Sequence, residues 1–162
     1  MKMALTKIAR IRCSVAGVAA ATCLALSMSA VATAGPAVCR VSAPADWQGV
    51  TVRWEGSCAS GQAEGSGVLR GLENGRVVRL FFGRMKAGQP EVGVVELPEG
   101  YVAGRFEDGR PVASDDRNDL IRAFREASKA AEAVSERFRV AGNAASAKFY
   151  RDKAHSLAAQ MD

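Results

Sequence analysis

Trp54-Glu-Gly56-Ser-Cys58-Ala-Ser-Gly61, Phe81-Phe-Gly83-Arg-Met85-Lys-Ala-Gly88 and Val102-Ala-Gly104-Arg-Phe106-Glu-Asp-Gly109 are one short phrase written three times. Each copy carries an apolar residue, a glycine two places on, an apolar or sulfur residue two places further, and a second glycine after three more. Residues two apart in a strand share a face. Trp54, Gly56 and Cys58 therefore line one side of a strand, as do Phe81, Gly83 and Met85. A glycine between bulky neighbours leaves a flat gap that a ring from the adjoining strand can cover. The second glycine of each copy serves a turn. An internal period of this kind dictates architecture before any other feature does.

Around these copies, residues 47–112 alternate as strands do. Val50, Val52 and Trp54 interleave with Thr51, Arg53 and Glu55. Asn74-Gly75 and Asp108-Gly109 are strong hairpin signals, and Ser60-Gly61, Ala87-Gly88 and Glu99-Gly100 are weaker ones. The pattern predicts strands over 50–58, 65–71, 76–84, 91–97 and 101–106, forming a meander of five or six short antiparallel strands. Pro90, Pro98 and Pro111 fall at strand ends, where a missing N–H costs little.

The repeated phrase resembles the MORN (membrane occupation and recognition nexus) family. Its pattern is aromatic-x-Gly-x-aromatic-x-x-Gly-x-x-x-Gly-x-Gly. Trp54, Gly56, Gly61, Gly65 and Gly67 match it, with Cys58 where the second aromatic stands. Phe81, Gly83 and Gly88 match in the second copy, with Met85 for the aromatic. Gly104, Phe106 and Gly109 match in the third, with Val102 in the first aromatic position. The resemblance implies a single-layer sheet of stacked hairpins used for protein or lipid contact, without catalysis. The expected contact face is the aromatic one, around Trp54, Phe81 and Phe106.

At the N-terminus, Lys2, Lys7, Arg10 and Arg12 precede a nearly unbroken apolar or small run, Cys13–Met28. Ala32-Thr33-Ala34 then presents small residues where a signal peptidase reads. Residues 1–34 are expected to be a signal peptide, and the protein to be exported to a periplasm or secreted. Setting aside those four basic residues leaves 18 basic residues of the 22 against 17 acidic ones. The basic pI thus belongs to the leader. No basic block interleaved with aromatics marks a nucleic-acid surface, and no nucleic-acid partner is expected.

Two of the four cysteines remain, Cys39 and Cys58. In an exported chain the simplest reading of an even pair is one disulfide. The short loop it closes gives a stabilisation of about 3 kcal/mol in the chain-entropy model.

Composition changes at Ser114. Beyond it alanine is abundant and proline absent. Ser114 or Asp115 is an expected N-cap. Leu120, Phe124, Ala127, Ala131, Val134 and Phe138 form one seam, Gly142-Asn143 a break, and Ala147, Tyr150, Ala154, Leu157 and Met161 a second seam. This predicts an antiparallel helical hairpin. The overall expectation is an α+β chain: signal peptide 1–34, disulfide-tied MORN-like sheet 35–113, helical hairpin 114–162. The hairpin's apolar face requires cover, from the sheet or from another chain.

Catalytic constellations are not legible. His155 is the single histidine, and a neighbouring Ser156 on a helix points about 100° away. Asp115-Asp116 and Glu107-Asp108 are explained by a helix start and a turn. No metal-ligand spacing or phosphate loop appears, and no cofactor is expected. The leading expectation is a non-catalytic scaffold or binding module of a Gram-negative-type envelope, contacting an envelope protein or a lipid surface. The runner-up is a structural subunit that self-associates into a homo-oligomer through the alanine-rich helices. A hydrolase using acidic residues ranks last.

Overall fold

The computed structural model describes residues 39–162, which belong to one compact unit. The leader expected over 1–34 lies outside the described residues. Six strands, β1 (Thr51–Ala59), β2 (Gln62–Glu73), β3 (Arg76–Lys86), β4 (Gln89–Leu97), β5 (Gly100–Glu107) and β6 (Arg110–Pro111), stand side by side in chain order. Every neighbouring pair is antiparallel. Two helices follow, α1 (Arg117–Val140) and α2 (Ala144–Ala158), and a single 3-10 turn, Ala159–Met161. The α+β meander-and-hairpin arrangement expected from the sequence is the one observed.

The hairpin turns are tight because their central residues accept positive φ. Ala87 and Gly88 have φ of 49° and 79°, and Asp108 and Gly109 48° and 75°, as a type I′ turn requires. Alanine is a poor residue for that conformation. Here its N–H donates to Glu64 Oε2 of β2 at 2.9 Å, which holds the turn.

The first glycines of the three copies have a second role. Gly56 pairs with Gly67, Gly67 with Gly83, Gly83 with Gly93 and Gly93 with Gly104. They form one row across five strands. The Trp54 ring lies over the start of this row, and a Cβ at Gly67 would meet it at 2.6 Å. Phe81 lies over the middle, 2.8 and 2.9 Å from where Cβ atoms of Gly83 and Gly93 would be. The covering ring comes from the glycine's own strand and reaches onto the next, rather than coming from the adjoining strand alone. Side chains along this row would force the rings off the sheet.

The two sheet faces are covered by different things. On one face Val68, Phe82, Val92 and Val94 pack against Ala123, Ala127, Ala131 and Val134 of α1, and Tyr150, Ala154 and Leu157 of α2 join the same core. Helix α1 lies across β2 to β5 and α2 packs on α1. Asp116 caps α1, one residue later than expected, its carboxylate accepting from Asn118 N–H at 2.8 Å. Ser114 braces that turn by donating to Asp119 at 2.8 Å. Asn143 caps α2.

The seam on α1 is wider than its 3-4 spacing predicts. Ala123 and Ala130 are buried beside Ala127 and Ala131, because α1 is pressed between the sheet and α2, while Leu120 at one end is exposed. Alanine allows a close helix pair. Ser128 and Ser135 of α1 donate to the carbonyls of Ala154 and Ala147 at 3.0 and 2.7 Å. With Ala147 and Ala154 also buried, the alanine seams are consumed within the chain.

Candidate binding surfaces

The opposite face carries the aromatic residues expected to make contacts. Trp54, Phe81 and Phe106 share one core with Leu69, Met85 and Val95, and Phe81 and Phe106 meet edge-to-face at 5.4 Å between centroids. They are not open: Trp54 is 9% exposed, Phe81 0% and Phe106 6%. The aromatic face expected to make contacts, which the sequence left either open or covered by the hairpin, is thus largely covered. The cover is not the helical hairpin, which occupies the other face. It is residues 39–47, an extended strap whose Val41, Ala43 and Trp47 pack on the aromatic core.

The strap is fastened at the second glycine of every copy. Arg40 N–H donates to Gly61 O at 2.9 Å, Ser42 N–H to Gly88 O at 2.7 Å and Ala45 N–H to Gly109 O at 2.9 Å. Ala63 N–H returns a bond to Arg40 O at 2.9 Å. Cβ atoms at Gly88 and Gly109 would approach the strap carbonyls of Arg40 and Ala43 to 3.0 and 3.1 Å, so these turns need glycine for closeness as well as for φ. The disulfide between Cys39 and Cys58, with Cα atoms 5.7 Å apart, ties the strap's first residue to β1. The second glycines are thus turn residues and docking points at once.

Among the described residues, two openings border this face. One is a pocket of about 400 Å³ between the far end of the strap and the β4–β6 corner. Val95, Leu97, Val102, Phe106 and Pro111 line it, with Asp46 and Arg110 at its walls. The other is a groove of about 810 Å³ along β1 that Trp54, Val52, Arg53 and Glu55 line. The expected contact face is thereby split. Phe106 and Trp54 each border an opening, and Phe81 is sealed between them.

His155 is exposed on α2, and the Ser156 hydroxyl donates back to Asp152 O of its own helix at 3.1 Å. Asp116 is the α1 cap and Asp108 sits in a hairpin turn. Glu55 pairs with Arg70 and Lys153 with Glu96. Burial pushes the Tyr150 phenol above its ordinary value, which Arg70 opposes and Glu55 reinforces. None of the described helices is long and apolar enough to cross a membrane.

No protein-family model, curated protein or solved structure matches this chain.

Proposed function

We propose that the protein is an exported, non-catalytic binding module with a degenerate MORN-like sheet, which captures an envelope protein through the pocket beside Phe106. The observation that carries this reading is that pocket: a concave, mostly apolar site of about 400 Å³ beside Phe106. Concave, mostly apolar sites with a few polar groups at their walls are where ligands bind. The pocket accepts one large apolar side chain of a partner, and Asp46 and Arg110 give that partner two charges of opposite sign to satisfy. A lipid chain is the competing occupant. The Cys39–Cys58 disulfide and the sequence of residues 1–34, read as a leader, support export into an oxidising compartment.

The test is photo-crosslinking in the intact envelope from a probe placed at Arg110. A protein adduct that disappears in Val102→Arg, with an unchanged unfolding midpoint, supports the proposal. A lipid adduct alone, or a protein adduct that Val102→Arg leaves intact, overturns it. The mature protein's mass before and after reduction checks both cleavage before Gly35 and the disulfide.

A further inference from the structure

An edge strand with unpaired backbone groups is a template for another strand, and proteins blunt such edges with proline, lysine or brevity. The two edges of this sheet are treated differently. β6 is two residues long and contains Pro111, which has no N–H to offer. β1 is nine residues long, without proline or lysine. The strap is tied to its far end through Cys58, and the Ser57 carbonyl is already taken by Trp54 Nε1 at 2.9 Å. Among the described residues, none pairs with the outer edge of residues 51–56, which border the open groove. The Trp54 ring does not obstruct them, because it leans inward over Gly67 of β2.

The sequence of this edge is complementary to itself when reversed. Laid antiparallel on a copy with Trp54 opposite Trp54, Arg53 faces Glu55 and Glu55 faces Arg53. Val52 then faces Gly56, and Thr51 faces Ser57. Opposite charges and hydroxyl pairs directly across a ladder are favourable, and a valine beside a glycine has room. Within one chain Arg53 Nε already lies 3.2 Å from Glu55, whose carboxylate Arg70 also holds and which is 14% exposed, while the arginine side chain is 68% exposed and can share itself with the carboxylate across the ladder.

We infer that β1 pairs antiparallel with β1 of a second copy about a two-fold axis at Trp54, joining two six-stranded sheets edge to edge. Such an interface is isologous, each residue on one copy meeting its counterpart on the other. The Phe106 pockets, on the far strands, stay open at the two ends of the joined sheet. Two linked sites would raise avidity for a partner that is itself repeated.

The test uses the protein expressed from its full-length sequence and processed by its host. Sedimentation over a wide concentration range is expected to show a monomer–dimer equilibrium, and amide exchange at residues 51–56 to slow as concentration rises. Arg53→Glu, which sets carboxylates opposite one another twice across the axis, is expected to weaken dimerisation by about tenfold. Arg53→Lys should preserve it, and the exposed position keeps both variants folded. A monomer at every concentration overturns the inference. So does a dimer that Arg53→Glu leaves unweakened, or one in which exchange at 51–56 ignores concentration.

Discussion

The helix-covered face and the strap-covered face of the sheet solve the same problem with opposite materials. On the helix face the cover is thick, two helices deep, and its contact residues are mostly alanines. Rings join it as well: Phe124 meets Tyr101 of β5 at 5.7 Å, and Phe138 stacks with the buried Tyr150 at 5.5 Å between centroids. On the strap face the cover is a single extended segment that adds one large residue, Trp47, while Trp54, Phe81 and Phe106 belong to the sheet. A helix presents a continuous surface, so small residues suffice for close packing. A strap presents few side chains, so the sheet supplies the bulk, and main-chain bonds with a disulfide supply the attachment. Bulk on one partner is matched by thinness on the other.

Four tests break or sharpen this contrast, from the largest effect down. Phe82→Ala on the helix face and Phe81→Ala on the strap face each empty a fully buried ring site, and each is expected to cost about 3–5 kcal/mol in urea unfolding. Equal costs would show that both covers seal equally well. A much smaller cost for Phe81→Ala would show that the strap settles into the gap. Next, replacing Cys39 and Cys58 together by serine is expected to cost about 2–4 kcal/mol. Tryptophan emission should shift to the red as Trp47 gains water, with helical circular dichroism retained. Loss of helix signal at the same point would mean that the faces are not independent.

Smaller still, Ser128→Ala removes the bond to Ala154 O and is expected to cost about 1 kcal/mol, with Ser135→Ala similar. Strap-face fluorescence should not move. Smallest is an alkaline effect confined to the helix face. The folded Tyr150 pKa is raised above its unfolded value, chiefly by burial. The protonated phenol is therefore favoured by folding. Its contribution is fully present below about pH 10 and is lost as pH rises from there through the folded pKa. Tyr150→Phe should flatten that decline, and an unchanged decline would assign it elsewhere.

Much of the helix face was legible. The spacing of Ala127, Ala131 and Val134, and of Ala147, Tyr150, Ala154 and Leu157, marks the buried stripe because a helix repeats its geometry without outside help. The strand order and turns were equally legible, since Asn74-Gly75 and Asp108-Gly109 state their conformation locally. The strap was not, although Cys39, Val41 and Ala43 alternate as an extended segment with one apolar side would. Its bonds run from main chain to main chain, and such bonds leave no side-chain signature. For the same reason the glycines at 61, 88 and 109 were legible as turn residues and not as docking points. The aromatic triplet was correctly placed on one face. Whether that face was open depended on a segment too short to show its periodicity.

The three turn bonds of the strap also impose an order in time. The strap is made before every turn it fastens to, so its first docking point exists when Gly61 has been synthesised and its last only after Gly109. Cys39 and Cys58, 19 residues apart, can meet while the third hairpin is still missing. A chain emerging from its start can therefore secure one end of the strap early and close it down turn by turn, as a zip follows its slider. Contacts that span most of the chain are slow to form unaided. Here the early covalent link shortens the search for each bond that follows.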